Sequence, residues 1–250
     1  KKVLTSLLAM SCVYLGGTSA WPMAEAATLV TSADQNITLP STGDKTQEFS
    51  DINKVYSGDK QVVYLLNAAG DPDRKAIFSG TSTVIANNGI NSKQLTALTA
   101  YDGAMVELNA DLTDLSAVSS KNGVSVIAVV NTSGDNYGSV IKFNSVETKI
   151  NAEAVGTATG VYNEKYSAAQ FSEATVSNIT AKSQKNDAYA LVNGGKTIIN
   201  GTVNLKAATD IGDAMGLVGR YESAGFEWVR VGGTVTTSAE SIVNIDVTST

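Results

Sequence analysis

"YALVNGGKTIINGTVNLKA", residues 189–207, admits two readings, and the choice between them decides the fold. Gly194-Gly195-Lys196-Thr197 behind an apolar run suggests a phosphate-binding loop. That loop needs the pattern G-x-x-x-x-G-K-[ST] opening a helix. Its first glycine would stand at residue 190, which is Ala. The residues after the lysine are not helical in period: Val203, Leu205 and Ala207 alternate with Asn204 and Lys206, as in a strand with one buried and one wet face. The stretch therefore reads as strand, tight turn, strand.

Relatives of Leu191-Val192-Asn193 recur along the chain. They close at Asn67, Thr99, Asn131, Asn163, Asn193 and Gly219, in steps of 32, 32, 32, 30 and 26. A second, weaker mark ends in alanine at Ala86, Ala117, Ala152, Ala181, Ala207 and Ala239. Val229 to Ala239 also alternate in the manner of a strand. Units of about 30 residues built of short strands predict an all-β fold, a parallel β-helix or solenoid. Helical repeats need a 3.6 period that these segments lack, and propeller blades need longer, aromatic units. Asn at the end of the first strand suits a corner whose side chain bonds the backbone of neighbouring turns.

Composition agrees. Of 250 residues 43% are hydrophobic, 17% charged and 6% aromatic, and the three prolines all lie at or before Pro72. The first 26 residues read as an export signal: Lys1-Lys2, the apolar "VLTSLLAMSCVYL" (3–15), and a small-x-small site at Ala24-Glu25-Ala26. Cys12 stands in a poor lipobox. Removing the leader takes Lys1, Lys2, Glu25 and the only cysteine, leaving 16 basic and 23 acidic residues. The resulting acidic, thiol-free chain opposes a nucleic-acid role, which requires clustered Lys/Arg. The expected organisation is a signal peptide (1–26), an N-terminal cap region (27–60) and solenoid repeats (61–250) continuing beyond Thr250.

The chain has no histidine, so the commonest general base and zinc ligand are missing. "GDPDRKA" (70–76), with Asp71, Asp73, Arg74 and Lys75, has alternating carboxylates suited to calcium or sugar, but equally describes a solvated turn. Ser57-Gly58-Asp59-Lys60 matches Ser-x-x-Lys formally, in a strand–turn–strand context that does not fit the motif's helix start. Asp135-Asn136, Glu164-Lys165 and Glu173 read as solvated turn residues. Asn36, Asn131, Asn178 and Asn200 open glycan-acceptor triplets that composition alone produces. Tyr221, Phe226 and Trp228 form an aromatic cluster expected to pack as core or lid. No catalytic, cofactor-binding or metal-binding residue is assigned, and no cofactor is expected.

The exported start, the cysteine-free body and the imperfect units typified by "NGGKTIINGTVNLKA" resemble the N-terminal part of a bacterial autotransporter passenger. The resemblance implies an exported Gram-negative protein at the cell surface, outer membrane or extracellular space, with a C-terminal translocator β-barrel outside these residues. It implies a non-catalytic binding or adhesive module whose partners are host surfaces, polysaccharides or sister cells, and not nucleic acid. Two other classes stay open: a polysaccharide lyase or glycosidase on a β-helix, which would need carboxylates converging on one groove, and a self-associating surface-layer protein.

Overall fold

The computed structural model describes residues 32–90, 94–134, 137–173, 175–224, 227–231 and 233–250. The expected leader, its cleavage site and Cys12 lie outside them, as do Asp135, Asn136 and Phe226. The first rung comprises β1 (Ala33–Thr38), β2 (Thr46–Ser50) and β3 (Asn53–Tyr56); the second β4 (Val62–Asn67), β5 (Lys75–Ser79) and β6 (Ser82–Asn87). The third has β7 (Thr96–Tyr101), β8 (Met105–Leu108) and β9 (Leu112–Ser119), the fourth β10 (Val126–Asn131), β11 (Val140–Phe143) and β12 (Glu147–Ala154). The fifth has β13 (Ala158–Asn163), β14 (Ala168–Phe171) and β15 (Val176–Ser183), and the sixth β16 (Ala188–Asn193), β17 (Lys196–Ile199) and β18 (Thr202–Thr209). In the last, β19 (Ala214–Ala224) and β20 (Glu227–Val231) form a hairpin before β21 (Thr234–Thr237) and β22 (Ile242–Ser249).

First, second and third strands of successive rungs stack into sheets A, B and C. Every stacked pair is parallel except the β19–β20 hairpin. The chain is therefore a parallel β-solenoid. Its first rung lies within the segment expected as a cap, and it joins the ladders like any other rung.

Strands of sheet C alternate strictly. In β18, Val203, Leu205, Ala207 and Thr209 are buried while Thr202, Asn204, Lys206 and Ala208 face outward. Sheet A does not alternate. Its ladder skips Ala128, Gly160 and Ala190, where the strand bends. In β13 this turns Ala158 and Val161 into the main core, whereas Tyr162 belongs to a separate cluster outside it. Strands buried on both faces read as continuous apolar runs, which is why "VIAVVN" and "AYALVN" show no period of two.

The interior is narrow and matched across. An inward column of Ile85, Leu115, Ile150, Ile179 and Leu205 in sheet C runs the length of the core. The bend positions of sheet A are small, and a Cβ added at Gly160 would stand 2.5 Å from Ile179 Cγ2. Substituting alanine there would overpack the core, which typically costs about 1–3 kcal/mol. In the first rung these inward places hold Lys54, level with Ile85, and Asp34, between residues paired with Val62 and Tyr64. The two form an ion pair of 2.9 Å, so the apolar column ends in charge.

Two register marks need correction. Asn131, Asn163, Asn193 and Gly219 share one ladder position, as the repeat predicts. Thr99 does not: it pairs with Leu65 and Val130, and the residue aligned with Asn131 is Ala100, whose upstream partner is Leu66. The true steps are thus 34, 31, 32, 30 and 26, and Asn67 lies one place beyond the ladder. Likewise Ala117, Ala152, Ala181 and Ala207 align, while Ala86 and Ala239 do not; their places are taken by Asn87 and Val247. Residues 229–239 are not one strand, because β20 and β21 belong to different sheets. Alternation in sequence was mimicked there by two strands meeting near Gly233, where a side chain would clash with the backbone and amide of Asn193.

Candidate functional site

Outer columns of sheet C carry the most regular polar surface. One column runs Val84, Asp114, Lys149, Asn178, Asn204 and Asn244; the next runs Ser116, Asn151, Thr180, Lys206 and Asp246. Parallel pairing sets rungs about 4.8 Å apart, which brings like side chains within hydrogen-bond reach. Asn244 Nδ2 donates to Asn204 Oδ1 at 2.8 Å, and Asn204 Nδ2 donates to Asn178 Oδ1 at 2.8 Å. Lys206 Nζ lies 3.5 Å from Asp246 Oδ2. Between the two columns lies an open groove of about 270 Å³, lined by Asn178, Thr180, Asn204, Lys206, Asn244 and Asp246 with Leu205 and Ile245 at its floor. The amides are pre-aligned by their own ladder, so hydroxyl groups of a ligand meet donors and acceptors whose rotamers are already fixed.

Toward the N-terminal rungs the same face becomes charged. Partial burial pushes the Asp114 carboxyl up, against the Lys149 ammonium, which favours its ionised form. Lys149 also pairs with Glu147 at 3.2 Å. No feature of the sequence marked Asp114, because its burial comes from sheet neighbours distant in sequence, Val84 and Lys149.

A second asparagine ladder runs inside the A–B corner. Asn131 Nδ2 donates to Asn163 Oδ1 at 2.8 Å and to the Ala168 carbonyl at 2.8 Å. Asn163 Nδ2 donates likewise to Asn193 Oδ1 at 2.8 Å and to the Lys196 carbonyl at 3.0 Å. Asn193 completes the set with the Thr234 carbonyl at 3.2 Å. These are the backbone-bonding corner asparagines that the sequence predicts. "NGGK" is the turn leaving this corner, not a phosphate loop, and Lys196 begins strand β17.

The remaining candidates separate cleanly. Asp71 is held by Lys45 at 3.0 Å and by Arg74 Nε at 3.3 Å, and Lys45 reaches Asp73 at 3.6 Å. Its hydrogen bond to the Lys45 ammonium chiefly holds the Asp71 carboxyl below the usual range. Arg74 donates to the Leu39 carbonyl at 3.0 Å, and Lys75 turns away to Glu107 at 3.5 Å. The "GDPDRKA" turn is thus an ion-pair clasp between rungs. Among the described residues no cluster of three or more acidic, Cys or His ligands is placed to hold a metal.

Ser57 and Lys60 lie in the turn after β3, where no helix starts. Glu164 is more than a solvated turn residue: its carboxylate accepts from the Thr132 hydroxyl and, at 3.2 Å, from the Ser133 amide, tying two rungs together. Lys165 Nζ lies 4.9 Å from the Tyr166 ring centroid, and Glu173 is exposed. Asn131 is fully buried and its amide hydrogens are both donated, so it is closed to glycans. Asn178 stands in the outer ladder, Asn200 is half-buried and Asn36 exposed. Tyr221 and Trp228 fall in the β19–β20 hairpin, but the packing expected of that aromatic cluster lies outside the described side chains.

Sequence reading missed the outer ladder, although its signal was present: Asn178, Asn204 and Asn244 each directly precede an inward Ile or Leu. The fold is a parallel β-solenoid whose sheet C carries an open groove edged by two polar columns. Comparison with family models, curated proteins and solved structures finds no match.

Proposed function

We propose that this chain is a surface-displayed or secreted β-solenoid passenger that acts as a non-catalytic binding module, with the outer face of sheet C as its binding surface. The observation that carries the reading is the groove between the Asn178–Asn204–Asn244 and Thr180–Lys206–Asp246 columns. Its rim presents amides, a hydroxyl, one cation and one anion at the spacing of the rungs, over an apolar floor that includes Leu205 and Ile245. That set suits a polyhydroxylated polymer, such as a host or sister-cell polysaccharide, laid along the solenoid axis: hydroxyls exchange hydrogen bonds with amides at little desolvation cost. Repetition along the axis adds contacts with each rung, so weak single contacts gain by multivalency.

The test is retention of the purified chain on immobilised neutral and acidic polysaccharides and on whole cells, beside the double variant Asn204→Ala/Lys206→Ala. Binding by the parent that falls at least tenfold in the variant supports the reading. Equal binding by both proteins would remove sheet C as the surface, and release of new reducing or unsaturated ends from the polysaccharide would show an enzyme instead.

A further inference from the structure

The corner between sheets A and B carries two exposed tyrosines that stability does not explain. Tyr137 is 45% and Tyr166 74% exposed, and among the described side chains no other aromatic is exposed. The sheet B ladder sets Met105, Val140, Ala168 and Lys196 level. Two residues before them stand Gly103, Gly138, Tyr166 and Gly194. Neighbouring rungs thus hold glycine at a turn where the fifth rung holds tyrosine. Gly103 has a φ of 89° and Tyr166 a φ of 69°, a left-handed backbone that glycine enters freely and tyrosine only under strain. No core contact offsets that strain. Tyr166 belongs to neither apolar cluster, and its ring meets the Lys165 ammonium, 4.9 Å from the centroid. Tyr137 leans back along the same corner onto glycines. A Cβ at Gly103 would stand 3.3 Å from the Tyr137 Cβ, and one at Gly70 would stand 3.8 Å from its Cδ2. The segment carrying Tyr137 is held at both ends: Glu164 accepts from the Thr132 hydroxyl and the Ser133 amide, and the Ser139 amide donates to Ser167 Oγ at 3.2 Å.

We propose that this corner is a second binding site, separate from the sheet C groove, and that it takes a neutral saccharide through Tyr137, Tyr166 and Asp102. The Asp102 carboxylate stands beside the Tyr137 ring: its Oδ2 is 4.0 Å from the same point at Gly70, and among the described residues no hydrogen bond or ion pair engages it. The chemistry of the three groups is complementary to a pyranose. Aromatic faces carry negative potential, which attracts the polarised C–H groups on the flat side of the sugar ring. A free carboxylate accepts from two neighbouring hydroxyls of that ring, and such charge-assisted bonds are the strong ones. The same carboxylate repels a uronic or sulfated sugar, so the ligand is neutral. Two rings and one carboxylate are also too small a surface for a protein partner, which needs about 800 Å² on each side.

The test is electrophoresis of the native chain through gels containing hydroxyethyl cellulose or galactomannan, beside Tyr137→Ala, Tyr166→Gly and the sheet C variant Asn204→Ala/Lys206→Ala. The parent should be retarded by at least one of these neutral polymers, and each tyrosine variant should weaken the apparent Kd by about tenfold. Tyr166→Gly also relieves the left-handed strain, so its denaturation midpoint should rise while its binding falls, an outcome that loss of folding cannot imitate. The sheet C variant reports on the groove separately: loss of retardation in the tyrosine variants supports the corner site whatever that variant does. Retardation that survives in the tyrosine variants, with or without loss in the sheet C variant, would overturn the proposal and leave the groove reading standing. A parent that migrates freely in both gels would overturn it too. So would a lowered midpoint for Tyr166→Gly, which would show that the ring serves the fold.

Discussion

Two asparagine ladders of the same chemistry stand on opposite sides of the wall, and they should differ sharply in what they contribute. Replacing Asn163 with Ala removes the donation from Asn131, the donation to Asn193 and the donation to the Lys196 carbonyl. Two of the three partners, Asn131 and Asn193, lie where water does not reach, being 0% and 2% exposed, whereas Lys196 is an exposed residue. A net hydrogen bond is worth about 1 kcal/mol, and a buried group left unsatisfied costs about 1–3 kcal/mol. The loss from Asn163→Ala is therefore about 3–6 kcal/mol. Asn204→Ala also removes two amide bonds, to Asn178 and from Asn244. Those groups face solvent, and water replaces the lost partner, so the cost stays within about 1 kcal/mol.

Asn163→Asp sharpens the test. A carboxylate accepts from Asn131 but cannot donate to Asn193 Oδ1 or to the Lys196 carbonyl, so burial favours its protonated form. Its folded pKa is raised above the unfolded value. Relative stability is therefore best below the unfolded pKa, near 3.9, and falls as pH rises through the folded pKa. Chemical denaturation of the three variants gives the comparison, and hydrogen exchange of β13, β14 and β16 shows whether damage stays local, as expected of stacked rungs. Should Asn204→Ala prove as costly as Asn163→Ala, burial is not what distinguishes the ladders, and the inward assignment of the corner asparagines fails.

Strand phase in sheet C is tested by Leu205→Asp, which sets a carboxylate in the apolar column at a cost of several kcal/mol, and Lys206→Ala, which loses one exposed ion pair and stays within about half a kcal/mol; the reverse order in denaturation midpoints would invert the strand. Asn131 Oδ1 lacks a hydrogen-bond partner because Ala100 stands where the ladder would place its donor. Ala100→Asn should raise stability by about 1 kcal/mol, and a lowered midpoint would show that the corner has no room for the amide. Partial burial pushes the Glu107 carboxyl up, but Lys142 at 3.0 Å and Lys75 at 3.5 Å hold it below its ordinary value. Its contribution is thus present above the unfolded pKa of about 4.3 and is lost as pH falls through the folded pKa. Glu107→Gln should flatten that part of the acid limb of a stability–pH curve, and an unchanged limb would mean that the pair contributes nothing.

What sequence alone reveals here depends on how local the cause is. Val203, Leu205 and Ala207 declared their phase because a sheet C strand has a wet side, and alternation records it directly. The corner asparagines at 131, 163 and 193 were legible because a corner demands the same side chain at every rung. Thr99 misled because sheet A bends at its Ala and Gly positions, so a counting rule built on repeat length slips by one place where the preceding turn changes length. The polar groove and Asp114 were hidden for a different reason. Each residue on that face is ordinary by itself, and only the stacking of strands some 30 residues apart gives it neighbours.

The three outer faces show how a solenoid separates folding from function. Inward columns stay of one kind from rung to rung, as in Ile85, Leu115, Ile150, Ile179 and Leu205, because each is wedged between the rungs above and below. The adjacent outward column runs Val84, Asp114, Lys149, Asn178 and Asn204, changing character at nearly every step. A change there costs little, since water satisfies whatever the new side chain leaves unpaired. The stretch from Asn178 to Asn244 departs from that drift, holding one amide in line over three rungs where stability does not require it. Order at positions free to vary is the physical reason to look for a ligand on sheet C. Sheet A presents the opposite case, an outer face whose apolar columns are almost wholly buried.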